Sequence, residues 1–459
     1  MRKYVFLAVA VIVIYFFQSF FLPTGGIGAD SLSYFGIASD LPELKTNLFP
    51  LGFPFLIKIF HFVFQDYFWA GKMLNISMVI IILVFSYVKK FYFRETVLLF
   101  AAKTFFFAFN LVISEGPFLF LLYFLFYLIH ERFQEKISST HFVFCASAIL
   151  ILLFTVRYSG IYIYLGTGIF WLWILFRRRL FEFQKDILKV LAFSGAGILA
   201  YLAFNYLMYG SFTGEHLRGA PAQIYPVYVL RNILAMVNVI DPFIGIKPAS
   251  NSIISIAFQV GLMLIDLLLL RYFVKLVKRK KDNLQMEFHY LLWIIAGIYT
   301  VTMFISGFYQ QIEELNVRML AAANLCIAFS FLIIYFKDLK SDKFIFRMGA
   351  FFLIFLTAYS LKSPENYLSN KKQIQEQMPN FKEKKYLYND ERSLKNITVY
   401  HIPVIDKSFT YQHTNSQKGE LKQTLAGTVN PQIKWQKNDT VKNKRKVLYT
   451  SQLRLRFDR

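Results

Sequence analysis

The chain has 459 residues, of which 56% are hydrophobic, 19% aromatic and only 17% charged, with a mean hydropathy of +0.43. Soluble globular proteins carry nearer a quarter of their residues charged, so this composition excludes a large soluble helical protein, whose helices would need polar faces. The formal net charge of +23 would point to nucleic acid in a soluble chain. Here it must first be mapped onto membrane topology, because cytoplasmic loops carry excess Lys and Arg, and no nucleic-acid partner is expected.

Arg2-Lys3 opens an apolar run to Leu22 that resembles a signal peptide. The run is too long, and no small-residue cleavage site follows, so it reads as an uncleaved first span over 4–22. Further stretches near the roughly 20-residue length of a bilayer core lie at 69–88, 95–112, 115–130, 141–156, 160–176, 187–208, 252–274, 288–307, 318–336 and 345–361. The expected fold class is an all-α polytopic membrane protein with about 11 transmembrane helices.

The stretch 51–64 decides that count. It is about 14 residues long, too short to span. It contains Pro54 and sets Lys58, His61 and Gln65 on one helical face, with Phe, Ile and Val on the other. That is the pattern of a helix lying in the interface. Charge agrees with this reading. With 51–64 at the surface and the N-terminus cytoplasmic, the inner segments collect Lys89, Lys90, Arg94, Arg132, Lys136, Arg177 to Arg179, Lys275 to Lys281, and Lys337 to Arg347. About 22 basic residues then lie inside against about eight outside before the tail, as the positive-inside bias requires. A crossing at 51–64 would turn every later cluster outward.

The outer segments are then 23–68, the turns near 113–115 and 157–160, the loop 209–251, the turn 308–318 and the tail. Two domains are expected: a transmembrane domain over 1–361 and a basic extracytoplasmic tail over 362–459. The tail is rich in Lys, Asn, Gln and Ser and has strand-like runs at Ile397–Ile405 and Lys446–Phe457, so it is expected to form a small α+β segment. Its charge suits anionic lipid or glycan, and equally a solvated face. Asn396-Ile-Thr and Asn438-Asp-Thr match the glycosylation pattern, a frequent chance match. Cys145 and Cys326 lie within apolar spans and give neither a disulfide framework nor metal-ligand spacing.

Charges near the membrane plane are costly and usually have a reason. On this topology the outer layer gathers Asp30, Glu115, Arg157, Glu215, His216, Arg218, Glu313, Glu314 and Arg318. A carboxylate there can take a proton from an attacking hydroxyl or amine, and Arg and His can hold a phosphate leaving group. Together they suit group transfer from a phosphate-activated donor with its lipid tail in the bilayer. Each residue also has a plainer reading. Asp30 reads as a cap of the following helix, Tyr34 as interfacial packing, Glu115 as an N-cap or surface charge, and Arg157 and Arg318 as phospholipid anchors. Lys103 and Asp266 lie within spans, where they can pair with each other or with backbone.

At these residues the sequence resembles the GT-C-type integral membrane glycosyltransferases, the superfamily of protein mannosyltransferases and aminoarabinose transferases. The resemblance rests on several segments taken in order over about 1–336: Asp30-Ser-Leu-Ser-Tyr34 with Ile37-Ala38; Asn47-Leu-Phe-Pro-Leu-Gly-Phe-Pro54; Ser114-Glu115; Arg157-Tyr-Ser-Gly160; Tyr209-Gly-Ser-Phe-Thr-Gly214; and Asn316-Val-Arg-Met-Leu320. It implies a GT-C-like bundle with interfacial helices in the first outer loop. It also implies a polyprenyl-phosphate-linked sugar as donor, and catalysis on the outer face of the cytoplasmic membrane toward a lipid, glycan or protein acceptor. In that frame Asp30 is the general base and Glu115 the second acidic residue. Tyr34, Arg157, Tyr158, His216, Arg218 and Arg318 bind the donor phosphate or substrate. Many members carry an Asp-Glu pair where this chain has Asp30 alone, and the loop after the seventh span lacks obvious metal ligands. The resemblance therefore leaves a divalent metal open and names no other cofactor. Two competing readings are a multi-span polysaccharide polymerase or ligase, which would rely on a large late outer loop, and a transporter. Transporters show pseudo-symmetric halves and interrupted helices, neither of which is visible in the sequence.

Overall fold

In a computed structural model, residues 1–361 are described apart from 23–24, 28, 43, 45, 66, 178–180, 216–224, 246–252, 281–284, 310–313 and 339–340; beyond 361, only five short strands are described. Up to residue 361 the described structure is helical. Helices α1 (Arg2–Phe21), α2 (Ala29–Asp40) and α3 (Gly52–Phe64) precede α4 (Tyr67–Val88), α5 (Phe93–Phe100), α6 (Lys103–Asn110) and α7 (Glu115–Phe133). Then come α8 (Ser139–Val156), α9 (Gly160–Phe176), α10 (Phe181–Tyr209) and α11 (Pro226–Val237), the last continued by a 3-10 turn over Asn238–Ile240. The series closes with α12 (Ile253–Lys280), α13 (Met286–Ser306), α14 (Ala321–Asp338) and α15 (Lys343–Ser360).

Among the described residues, eight helices are long and apolar enough to cross a membrane: α4, α7, α8, α10, α12, α13, α14 and α15. The chain is a multi-pass α-helical membrane protein. α14 is its central helix, with 78% of its apolar window buried, whereas only 17% of the α12 window is buried. α12 therefore presents nearly its whole circumference outward, as a lipid-facing helix does. Small residues allow the close approach at the centre: Ala321, Ala322, Ala323 and Ala328 of α14 are all buried.

Two expectations change. The stretch predicted as one span over 95–112 is broken into the eight-residue helices α5 and α6, with extended backbone at Ala102 (φ −94°, ψ 162°). This interrupted helix was not visible in the sequence, because the run is uniformly apolar around Lys103. Lys103 is the first residue after the break. Lys103 Nζ donates to Asn238 Oδ1 at 2.7 Å and to the Ile244 carbonyl. Lys103 and Asp266 do not pair directly. Asn238 bridges them, its Nδ2 donating to Asp266 Oδ2 at 3.0 Å. The bridge comes from the second unexpected element, the α11–3-10 segment, which reaches into the bundle from the end where α10 finishes.

α3 has 13 residues, about 20 Å, too short to cross, as expected for 51–64. Phe53 and Ile57 pack inward, while Phe55, Phe62 and Val63 are exposed. In the tail, β1 (Tyr386–Tyr388), β3 (Phe409–His413) and β5 (Leu453–Leu455) pair in parallel in the order β1-β3-β5, and β2 (Ile397–His401) pairs in parallel with β4 (Lys446–Thr450).

Candidate functional site

The helix ends sort the charges. At one end lie the pairs Lys3–Asp342 (2.5 Å), Arg132–Asp186 (2.8 Å), Lys280–Asp338 (3.3 Å) and Arg279–Asp338. The candidate site lies at the opposite end, where α7, α9 and α14 begin and α6 and α8 finish.

α2 opens at Ala29, so Asp30 sits in its first turn, where the helix dipole favours an anion. Asp30 is inside the helix rather than capping it, and its carboxylate is turned to Arg318. One turn on, Tyr34 is buried, its ring 4.7 Å from Phe49 and 4.9 Å from Phe53 between centroids. Its hydroxyl lies 2.9 Å from Ser114 Oγ.

Glu115 begins α7, and Ser114 before it makes no side-chain cap bond. Ser114 Oγ accepts instead from Arg157 Nη1 at 3.3 Å. The turn carrying these residues is held from α4. Asn75 Nδ2 donates to the carbonyls of Phe109 (3.1 Å) and Leu111 (2.7 Å), and Lys72 Nζ donates to that of Asn110 (2.5 Å). These carbonyls end α6 and have no partner within the helix. Two polar side chains of a neighbouring span thus serve as their cap.

Arg157 follows α8 with extended backbone (φ −147°, ψ 132°), and α9 begins three residues later at Gly160. The reversal is tight enough that a Cβ on Gly160 would lie 2.6 Å from the Leu153 carbonyl carbon and from the Phe154 nitrogen. Glycine is therefore required in Arg-Tyr-Ser-Gly. Ser159 Oγ accepts from Arg157 Nε at 3.3 Å and from the Tyr299 hydroxyl of α13 at 3.2 Å. In the segment before α14, Asn316 Oδ1 accepts from the backbone N–H groups of Arg318 (3.0 Å) and Met319 (3.1 Å). This Asx turn sets Arg318 just before α14.

Four charges meet in an alternating chain. Arg318 Nη1 lies 2.9 Å from Asp30 Oδ2, Arg318 Nε lies 3.4 Å from Glu115 Oε1, and Arg157 Nη1 lies 2.6 Å from the same Glu115 oxygen. Asp30 and Arg318 form the accessible end, with side chains 37% and 29% exposed; Glu115 and Arg157 form the buried end at 6% and 18%. Burial works to lower the Arg157 pKa, but the Glu115 carboxylate raises it above the ordinary guanidinium value. Burial, with the Glu115 charge behind it, raises that of Tyr34, which stays a phenol.

The other quoted segments converge on the same end. Asn47 Nδ2 donates to the Ser211 carbonyl at 2.8 Å and to Ser211 Oγ at 3.0 Å. The Tyr158 hydroxyl donates to the Asn47 carbonyl at 2.8 Å and accepts from Asn205 Nδ2 at 3.2 Å. Tyr34 and Tyr158, expected to bind donor or substrate, thus use their hydroxyls within the protein. Arg157 and Arg318 face carboxylates rather than standing out as lipid anchors. Glu314 pairs with Arg231 at 2.9 Å, and Glu215 accepts from Thr213 N at 2.9 Å. His216, Arg218 and Glu313 lie outside the described residues.

Among the described residues, no three His, Cys, Asp or Glu side chains gather as a metal site. The two carboxylates of the chain, Asp30 and Glu115, are joined by the Arg318 guanidinium. A divalent cation between them would have to displace that group. Sequence reasoning quoted Ser114 only beside Glu115, without a role, and missed Lys72, Asn75 and Tyr299. Lys72 and Asn75 left a readable signal, two polar residues three apart within an apolar span, hence on one helical face.

No protein-family model matches the chain, and no curated protein or solved structure is found similar to it.

Proposed function

We propose that this protein is an inverting glycosyltransferase of the cytoplasmic membrane, with the GT-C-like arrangement of eleven spans that the sequence resembles. It moves a sugar from a polyprenyl-phosphate-linked donor to a lipid, glycan or protein acceptor at the outer face. The observation that carries this reading is the alternating chain Asp30–Arg318–Glu115–Arg157 at one end of the bundle. The count of eleven takes the eight long helices together with α1, α9 and the broken pair α5–α6, and leaves α3 at the surface. An odd count places the termini on opposite sides, and the Lys and Arg bias then sets the N-terminus and the basic clusters inside, and Asp30 and the tail outside.

Asp30, the more exposed carboxylate, takes the proton from the acceptor hydroxyl or amine. The acceptor oxygen or nitrogen attacks the anomeric carbon as the bond from that carbon to the phosphate oxygen breaks, and polyprenyl phosphate leaves with the electron pair. Arg318 reaches both ends of this event. At rest it is held on Asp30; a donor phosphate competes for its guanidinium with bidentate geometry and leaves Asp30 able to accept a proton. Glu115 holds Arg318 and Arg157 in place.

The test is transfer from a labelled lipid-linked sugar in membranes containing the Asp30→Asn chain. Loss of a general base should lower the rate by about 10²–10⁴-fold at unchanged protein level; full activity in a stable variant would show that Asp30 is not the base.

A transporter gains one observation, the interrupted helix at Ala102. The polar cluster beside it leaves a void of only about 10 Å³, bounded by Lys103, Asn238 and Asn324. That is room for about one water, and none for a transported solute. Uptake into liposomes without chemical change would favour transport nonetheless.

A further inference from the structure

At the end of the bundle opposite Asp30, the N-terminus, the α4–α5 connection and the last turn of α14 enclose an open cavity of about 720 Å³. α14 starts three residues after Arg318 and runs 18 residues to Asp338, about 27 Å, so the cavity lies a bilayer core's thickness away from the candidate site. Its walls carry the side chains of Lys90, Arg94 and Lys337 against a single acid, Glu95, with Met1 beside them. Glu95 is buried, with Arg94 Nη2 at 3.7 Å, and the Arg94 guanidinium lies over the Phe336 ring at 4.4 Å.

Among the described residues, other acids at this end face other cations. Asp338 is held by Arg279 and Lys280, Asp342 by Lys3, and Glu131 lies 3.6 Å from Lys136. By composition the lining is basic, three cationic side chains to one carboxylate, at the foot of membrane-spanning helices. Its remaining wall is apolar: Tyr87 and Val88, at the end of α4, are 53% and 66% exposed and continue onto the outer surface of the bundle. A soluble phosphate compound has no use for such a wall, whereas a glycerophospholipid does. Basic pockets between membrane helices suit anionic headgroups.

We propose that this cavity binds an anionic phospholipid of the surrounding bilayer, its phosphate among Lys90, Arg94 and Lys337 and its acyl chains along Tyr87 and Val88. The site is separate from the transfer chemistry and does not depend on it. Native mass spectrometry of the full chain, purified in detergent and stripped of lipid, tests the proposal with added phosphatidylglycerol or phosphatidylcholine. The unmodified chain should retain phosphatidylglycerol at least about tenfold better. Lys90→Gln should weaken that retention about fivefold, and Lys90→Gln with Lys337→Gln about thirtyfold, with phosphatidylcholine unchanged. Lys136→Gln, on the same end but outside the cavity, should change nothing. Equal retention of the two lipids by the unmodified chain would overturn the proposal even if the double variant failed to fold. So would undiminished phosphatidylglycerol retention in a folded Lys90→Gln chain. Displacement of the lipid by millimolar inorganic phosphate would reassign the cavity to a soluble anion.

Discussion

Glu115 holds two guanidinium groups through one carboxylate oxygen, and it is the most buried member of the four-charge chain. Removing one partner of a buried pair leaves the other charge uncompensated, at about 3–5 kcal/mol. Glu115→Gln should therefore destabilise the folded chain by about that amount, read as a lowered denaturation midpoint in detergent; adding Arg157→Met should restore part of the loss, since it removes the stranded cation. Arg318→Lys tests a different property. A lysine ammonium cannot present two separated nitrogens in a fixed plane, so it can serve Asp30 or Glu115 but not both. With Arg318 part exposed, stability should change by less than about 1 kcal/mol while transfer falls at least about tenfold. Unchanged transfer with labelled donor would show that bridging is not needed. At this scale Asp30, Glu115, Arg157 and Arg318 were legible from the sequence, because a charge near a bilayer stands out against apolar surroundings. Their pairing was not, nor was the inward use of the Tyr34 and Tyr158 hydroxyls, since an amphipathic tyrosine reads alike in packing and in binding.

Among the elements, the half-helix α6 and the turn after it depend on side chains from α4. Asn75→Leu would strip partners from the Phe109 and Leu111 carbonyls. An unsatisfied buried carbonyl costs about 1–3 kcal/mol, so the variant should unfold at clearly lower denaturant concentration and lose transfer through displacement of Glu115. A variant as stable as the parent would remove α4 from the support of the site. The break between α5 and α6 was illegible because hydropathy averages over a window, and a continuous apolar run gives the same average whether or not its backbone is continuous. By contrast, the short α3 was legible, because length alone forbids it to span.

For the molecule as a whole, the basic clusters and the four-charge chain lie at opposite ends of the same helices. An impermeant thiol reagent applied to intact cells should therefore label Gln65→Cys and leave Lys136→Cys untouched until the cells are opened; labelling of both, or of Lys136→Cys alone, would overturn the proposed topology. Apolar run lengths and the distribution of Lys and Arg were enough to make this a multi-pass membrane protein and to group Asp30, Glu115, Arg157 and Arg318 in one layer. Both depend on local transfer free energies that each segment carries with it. Only the tertiary structure decided which charges meet. Arg318 and Asp30 are 288 positions apart, and they touch because α14 packs at the centre of the bundle while Asn316 turns the chain before it. Side-chain packing between distant helices sets such contacts, and no local property of the sequence encodes them.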